Sequence, residues 1–325
     1  MRGILPEWQE LWNRLPHTTV FQSPHWLLPW IEVFQPIAPH LLEIREGDLL
    51  VGVIPLLIYA RDSQRVLAFM GGGVSDYLDA LVDPQYEREV LATFHDYLAR
   101  ECYAWDILEF TDLPAHSVLL RLAQVTPEFE VRPHVVCPVL SLPSRGQELS
   151  KVIPFRKRAS LRNARNRLAR AGGGRVEVAS RESVLTALDS MFKLHSDRWA
   201  TVGESGVLSE TSIQDFHLRL AIRLVDLELL RLYQLFLKDH LVAALYTFFE
   251  KDVVRLYVHA FDPDCAHLSP GTQIFGAVIE DAVKQGMHSV DFLRGSEPYK
   301  YLWGACDSVT YSIQALSSHP ANPAI

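Results

Sequence analysis

The 325-residue chain is 48% hydrophobic and 22% charged, which excludes a disordered or fibrous protein and leaves room for two domains of about 150 residues each. Its longest apolar stretch, residues 49–60, is interrupted by Gly52 and Pro55 and falls short of the ~20 residues of a membrane-spanning helix. The net charge of −8 hides an asymmetry: residues 151–175 carry nine Lys or Arg and no acid, against 22 basic and 39 acidic residues elsewhere.

Glu7 and Glu10 stand where a secretion signal would be uniformly apolar, so the chain is expected to stay in the cytoplasm. Cys102, Cys137, Cys265 and Cys306 are scattered without a CxxC pair, as suits reduced structural thiols. The thirteen histidines form no HxxxH or HExxH pattern, and no metal is expected.

Residues 45–59 predict a hairpin turning at Glu46-Gly47-Asp48, followed by a strand at 65–70. Then come Gly71-Gly72-Gly73, Ser75-Asp76-Tyr77 and Asp83-Pro84, a helix with Val90, Leu91, Phe94, Tyr97 and Leu98 on one face, and a strand at 105–110. The same order returns later: a hairpin at 235–249 turning at Lys238-Asp239, a strand at 253–261, a loop, a helix, and a strand at 289–293. Leu50-Val51 falls opposite Leu241-Val242, and Asp106 opposite Asp291. Agreement over about sixty residues favours a tandem duplication over chance matching of two ββαβ patterns.

Between the copies, Pro143-Ser144-Arg145-Gly146 reads as a linker, and residues 156–174 as a basic helix ended by three glycines. Arg158, Arg162 and Arg165 share one face of that helix, beside an apolar strip of Leu161 and Leu168. A face of one sign suits an anionic partner, either phosphates or an acidic carrier protein; the acidic remainder argues against nucleic acid. Further on, His195, Arg198 and Trp199 share a helix face, as either a packed trio or an anion- or sugar-binding one. Residues 202–209 read as a loop.

Ser269-Pro270-Gly271-Thr272, with Gln273, opens an amphipathic helix directly after a strand. Such residues are common as plain caps, but free backbone amides and the helix dipole also make this a pyrophosphate site. The acidic Asp83 would repel phosphate from the first copy, whose Ser75, Asp76 and Tyr77 are expected to line an acceptor cleft instead. Residues 291–300 place Asp291, Arg294, Glu297 and Lys300 at a strand's C-terminal edge, where α/β sheets bind ligands. Gly295, Pro298, Tyr299, Tyr301 and Trp303 interleave or follow these charges, favouring a pocket over a surface salt-bridge cluster.

The strand, loop, helix and strand of residues 253–293 resemble the acyl-CoA-binding core of the GNAT N-acyltransferase superfamily. More narrowly, FQSPHW (21–26), SDYLD (75–79), the arginine-rich helix, LHSDRW (194–199), SPGT and DFLRGSEPYK resemble the bacterial CelD-like or BioF2-like acetyltransferases, relatives of the Fem peptidyltransferases. That resemblance implies a mixed α/β fold of two tandem GNAT-like domains. Residues 1–142 would be a degenerate acceptor-side domain, 143–175 the linker and basic helix, and 176–325 the donor domain. It implies acyl transfer from acetyl-CoA, another acyl-CoA or an acyl carrier protein to a small-molecule amine, in polysaccharide or cell-envelope biosynthesis. The phosphate turn only approximates the superfamily's usual loop, so donors other than acetyl-CoA stay open. Glu297 or Asp291 would take the amine proton and Tyr299 or Tyr301 protonate the thiolate, with Arg294 and His195 alongside and amides near 258–261 holding the thioester carbonyl. Arg198, Trp199, Ser75, Asp76, Tyr77, Lys300, Arg158 and Arg162 would contact the acceptor or an anionic partner. Two rival readings are an aminoacyl-tRNA-dependent ligase and a non-catalytic subunit of an exopolysaccharide machine.

Overall fold

The computed structural model describes residues 2–143, 150, 152–201 and 203–317. Along the chain run α1 (Leu5–Arg14), α2 (Pro24–Phe34), β1 (Ala38–Glu46), β2 (Leu49–Arg61), β3 (Gln64–Phe69), β4 (Leu81–Val82), α3 (Glu87–Arg100), β5 (Ile107–Leu113), α4 (Leu119–Val125) and β6 (Glu130–Val136). Then follow β7 (Val139–Ser141), α5 (Phe155–Arg170), β8 (Gly174–Val178), α6 (Val184–Ala200), α7 (Thr211–Asp226), β9 (Leu230–Leu237) and β10 (His240–Glu250). The chain goes on through β11 (Val253–Phe261), α8 (Pro270–Gln285), β12 (Ser289–Asp291), α9 (Pro298–Tyr301) and β13 (Val309–Leu316). Among the described residues no helix is long and apolar enough to cross a membrane.

The chain divides into two units, one holding the residues up to 136 together with β13, the other residues 137–307. In the first, the sheet runs β1-β2-β3-β5-β13-β6, with β4 added to β2. Its core forms where Val90, Phe94 and Leu98 of α3 meet Leu56, Leu108 and Phe110 of the strands. In the second, the sheet runs β7-β12-β11-β10-β9-β8. Each sheet is antiparallel except at one pair, β3 with β5 and β11 with β12. The repeat expected from the sequence is therefore present, hairpin for hairpin.

Three expectations need correction. Each closing strand finds its antiparallel neighbour outside its own copy: β5 pairs with β13, and β12 with β7. A boundary at 142 or 143 therefore misassigns both strands, because backbone pairing rather than chain order decides which sheet a strand completes. The basic helix is no linker either. Leu161 and Leu168 of α5 lie in the core of the second unit with Leu235, Val278 and Ile279. Of the predicted linker, residues 144–146 lie outside the described residues.

The third correction concerns register. Gln64 pairs with Arg61 beside one turn, and Val253 with Glu250 beside the other, so Val66 corresponds to Arg255. Val66 pairs with Ile107 and Arg255 with Asp291, making Ile107 rather than Asp106 the counterpart of Asp291. A slip of one residue turns a side chain to the opposite face. Asp106 accordingly does something different, accepting bonds from the Arg65 amide and guanidinium at 2.7 and 3.0 Å.

Leu161 of α5 seats against Gly276 of α8. A Cβ at Gly276 would lie 2.7 Å from Leu161 Cδ1, so only glycine lets the leucine seat there. Gly276→Ala is expected to lower unfolding free energy by about 1–3 kcal/mol. In urea titrations its combination with Leu161→Ala should lose less than the two single losses added together.

Candidate active site

β12 pairs with β11 only over Ser289–Asp291, while β11 continues to Phe261 with β10 on its other side alone. Past Arg255 the two parallel strands part, and alternate backbone groups of β11 face the gap. Tyr257 is skipped in the pairing with β10, between Leu256 opposite Thr247 and Val258 opposite Tyr246. Such a bulge re-aims the residues that follow it.

Helix α8 begins beside this strand. Asp262 caps a short 3-10 turn by accepting from the Asp264 amide, and Ser269 then takes φ +54°, turning the chain into Pro270. Proline has no N–H, and the Gln273 amide bonds the Ser269 carbonyl. The amides of Gly271 and Thr272 are left without an acceptor among the described residues, at the positive end of the helix dipole. A Cβ at Gly271 would meet nothing within 4 Å, so the space beside it is open.

The side chains of the turn are less free than the sequence suggested. Ser269 Oγ accepts from Arg167 Nη2 at 2.7 Å, Thr272 Oγ1 accepts from Lys157 Nζ at 3.1 Å, and the Gln273 amide donates to the Leu268 carbonyl. The turn thus offers backbone, not hydroxyls. Both cations come from α5. Lys157 is buried, its Nζ 4.2 Å from the centre of the Trp303 ring, and burial pulls its pKa down to about 8. The predicted arginines point elsewhere: Arg158 donates to the Ile153 carbonyl, Arg165 pairs with Glu280 at 2.7 Å, and Arg162 is exposed.

At the parting of the strands stands a cluster built on Arg198, from α6. Its Nη1 lies 3.2 Å from His259 Nε2 of β11, and its guanidinium lies over Phe261 at 4.4 Å. An arginine can only donate, so His259 accepts at Nε2 and is neutral. Burial first, then the charge of Arg198 and the neighbouring His195 and Lys300, pull its pKa down to about 3. Tyr299 packs edge-on against His259 and against Phe275 of α8, with ring centres 5.7 and 5.6 Å away. Burial and the Glu297 charge push its hydroxyl well above the usual range, keeping it protonated. Arg198 is half-buried and forms no ion pair among the described residues. A desolvated guanidinium without a counter-ion is poised for an anionic group. His259 carried no periodicity or motif signal in the sequence.

His195 is not part of that face. Its Nε2 accepts from Trp199 Nε1 at 2.9 Å, its Nδ1 is buried without a partner, and burial pulls its pKa to about 4. The loop after α6 seals it, since Gly206, at φ +70°, sits where any Cβ would strike His195 and Trp199. His195 and Trp199 therefore position α6 rather than touch a reactant.

Residues 291–300 hold their own loop. Lys300, 2% exposed, donates to the carbonyls of Leu293, Arg294 and Gly295 at 3.1, 2.6 and 2.9 Å, which uses all three ammonium hydrogens. Substrate contact by Lys300 is thereby corrected. Asp291 is buried, accepting from the Leu293 amide at 2.8 Å with Arg255 Nε 3.8 Å away. It fixes the turn at Leu293, where φ is +55°, and is no proton acceptor for an amine. Glu297 folds back onto Lys300 at 3.0 Å with 55% of its side chain exposed, and Arg294 is exposed.

In the first unit, Ser75, Asp76 and Tyr77 are buried instead of lining a cleft. Ser75 Oγ accepts from Trp26 Nε1 at 2.9 Å, and the Tyr77 carbonyl accepts from Gln22 at 3.2 Å. The two motifs FQSPHW and SDYLD are thus halves of one packed contact. Among the described residues His240, Asp262 and Cys265 bring three metal-ligating groups within 4.8 Å, which their sequence spacing hid. His240 Nε2 and Asp262 Oδ2 lie 2.5 Å apart, in direct hydrogen-bond contact.

Residues 156–301 match the acetyltransferase (GNAT) domain family. No curated protein matches the chain by sequence. Among solved structures, FemX is similar at 10% identity and TM-score 0.67, covering 96% of this chain and 95% of its own. L-PGS from Bacillus licheniformis is similar at 13% identity and TM-score 0.57, with 93% and 94% covered. A tandem GNAT protein from the clavulanic acid biosynthesis pathway is similar at 14% identity and TM-score 0.51, with 99% and 97% covered. The chain has a mixed α/β fold of two GNAT-like sheets flanked by helices.

The depressed histidines make acid sensitivity testable. Their folded pKa values lie below the unfolded value near 6.5, so protonation favours the unfolded chain. The histidines' contribution to stability should be complete above about pH 6.5 and fall as pH drops toward 4. In urea unfolding against pH, His195→Leu should flatten that slope whatever its effect at neutral pH.

Proposed function

We propose that the chain is a GNAT-type N-acyltransferase whose C-terminal unit binds an acyl thioester and passes its acyl group to an amine. The observation that carries this reading is the Arg198–His259–Tyr299 cluster at the parting of β11 and β12, with Tyr299 packed on α8 one turn from the open amides of Gly271 and Thr272. A donor pyrophosphate suits those amides, with Lys157 and Arg167 adding positive potential beneath. The thioester would then reach along α8 toward Tyr299.

The amine nitrogen attacks the thioester carbonyl; the new C–N bond forms as the C–S bond breaks. Arg198, aimed by His259, stabilises the oxygen that becomes negative. The protonated Tyr299 hydroxyl supplies the proton the leaving thiolate needs and takes one back from solvent as the product leaves. Glu297, open to water beside Tyr299, takes the amine proton through solvent. An acyl-CoA and an acyl carrier protein present the same phosphopantetheine arm, and both remain candidate donors. The exposed arginines Arg156, Arg162 and Arg170 of α5 support a second reading, with an aminoacyl-tRNA as donor.

Gly271→Asp places a carboxylate beside the phosphate amides and should abolish CoA binding in calorimetry with the melting temperature unchanged. Tyr299→Phe should lower kcat about 10²-fold at unaltered donor affinity. Undiminished CoA affinity in Gly271→Asp defeats the donor assignment. Co-purifying RNA, seen as a raised 260/280 nm absorbance ratio, would favour the second reading.

A further inference from the structure

The contact between FQSPHW and SDYLD encloses something the transfer reading does not use. In the first unit, Leu15, Pro16, Val82, Pro84, Pro114 and Val118 line an apolar cavity of about 110 Å³. Thr18, Thr19, Gln22 and Asp79 line its polar side, and the exposed His17 and His116 stand at its edge with ring centres 5.0 Å apart. Its walls are rigid. Gln22 accepts from the Thr19 amide and hydroxyl at 2.7 and 2.9 Å and donates to the Tyr77 carbonyl, while Thr18 donates to the Trp12 carbonyl.

Asp79 is the exception. Its Oδ1 accepts from the Ala80 amide at 2.8 Å and the Ser117 hydroxyl at 2.7 Å, but Oδ2 accepts no hydrogen bond among the described residues. No cationic side chain pairs with it there either. Asp79 is partly exposed and lines the cavity. Burial lifts its carboxyl to about 7, because surroundings with little water disfavour the charged form. The other titratable side chains of the lining are His17 and His116.

We propose that this cavity binds a primary alkylammonium group, its charge on Asp79 Oδ2 and its carbon chain against Leu15, Val82 and Val118. A carboxylate in an apolar hole is stabilised most by a cation that brings its own apolar body. A metal ion would need several oxygen or nitrogen ligands, and the threonine and glutamine groups nearby are already engaged. Size agrees: a cavity of ~150 Å³ holds benzene, so this one suits four or five non-hydrogen atoms. The site stands on its own geometry and is independent of the transfer reaction.

n-Butylammonium chloride and n-butanol, matched in length and different in charge, test it on the full chain by thermal unfolding at pH 8. Butylammonium should raise the melting temperature in a saturable way, and butanol should not. Asp79→Asn should abolish the shift. By itself that variant should melt higher than the parent at pH 8 but not at pH 4.5, because an acid with a raised folded pKa loses stability as pH climbs toward 7. Val118→Phe, which fills the hole and keeps the carboxylate, should also abolish the shift and covers the case in which Asp79→Asn does not fold. No saturable shift in the parent, an equal shift with butanol, or a shift that survives either variant overturns the proposal.

Discussion

The parallel pairing of β11 with β12 lasts three residues, and the rest of the candidate site depends on its stopping there. Had β12 continued, its backbone would occupy the space into which Arg198, His259 and Tyr299 converge. It stops because Asp291 captures the Leu293 amide and Leu293 adopts a left-handed conformation, after which Lys300 gathers three successive carbonyls. A buried ammonium whose donors are all satisfied by backbone is a rigid clamp, since moving any one carbonyl leaves a desolvated charge. The gap between the strands is held open by that loop, and the cluster is packed against its rim.

The second constraint is electrostatic. Helix α5 concentrates positive charge on an otherwise acidic chain, and its residues divide by geometry into three kinds. Lys157 and Arg167 are drawn in to the start of α8, Arg158 donates to a backbone carbonyl while Arg165 pairs with Glu280, and the remainder face water. Of these cations Lys157 alone is buried, and burial makes a cation's field felt over a short range with little screening by salt. Charge count alone would have weighted all of them equally.

Much of this was legible in the chain. The strand expected at 253–261 spans the same residues as β11, and both hairpins turn where Gly47 and Lys238-Asp239 indicated, because alternation and turn chemistry are local properties. The burial of Lys157 was legible too, and was missed: positions 157, 161, 164 and 168 form one helical stripe whose other members are Leu, Ala and Leu. His259 was not legible, since a histidine on a strand reads the same whether it faces an arginine or a methyl group. The roles of Asp291 and Lys300 were misjudged for a related reason. Charges at a strand end announce a polar site, but whether they serve a ligand or their own backbone is settled by three-dimensional hydrogen bonding.

The exchange of β7 and β13 has a bearing on biosynthesis. When a ribosome has completed residue 136, the first sheet still lacks the strand that separates β5 from β6, and that strand arrives about 170 residues later. Throughout that interval two strands carry unpaired backbone edges, a state prone to wrong pairing and aggregation. The second sheet has the reverse history, since β7 is made before α5 and long before its partner β12. The second unit, residues 137–307, is continuous and can close in the order in which it is made, whereas the first cannot. Closing the first sheet demands a contact between residues some two hundred positions apart, such as Glu109 with Gln314, the kind of long loop that slows folding.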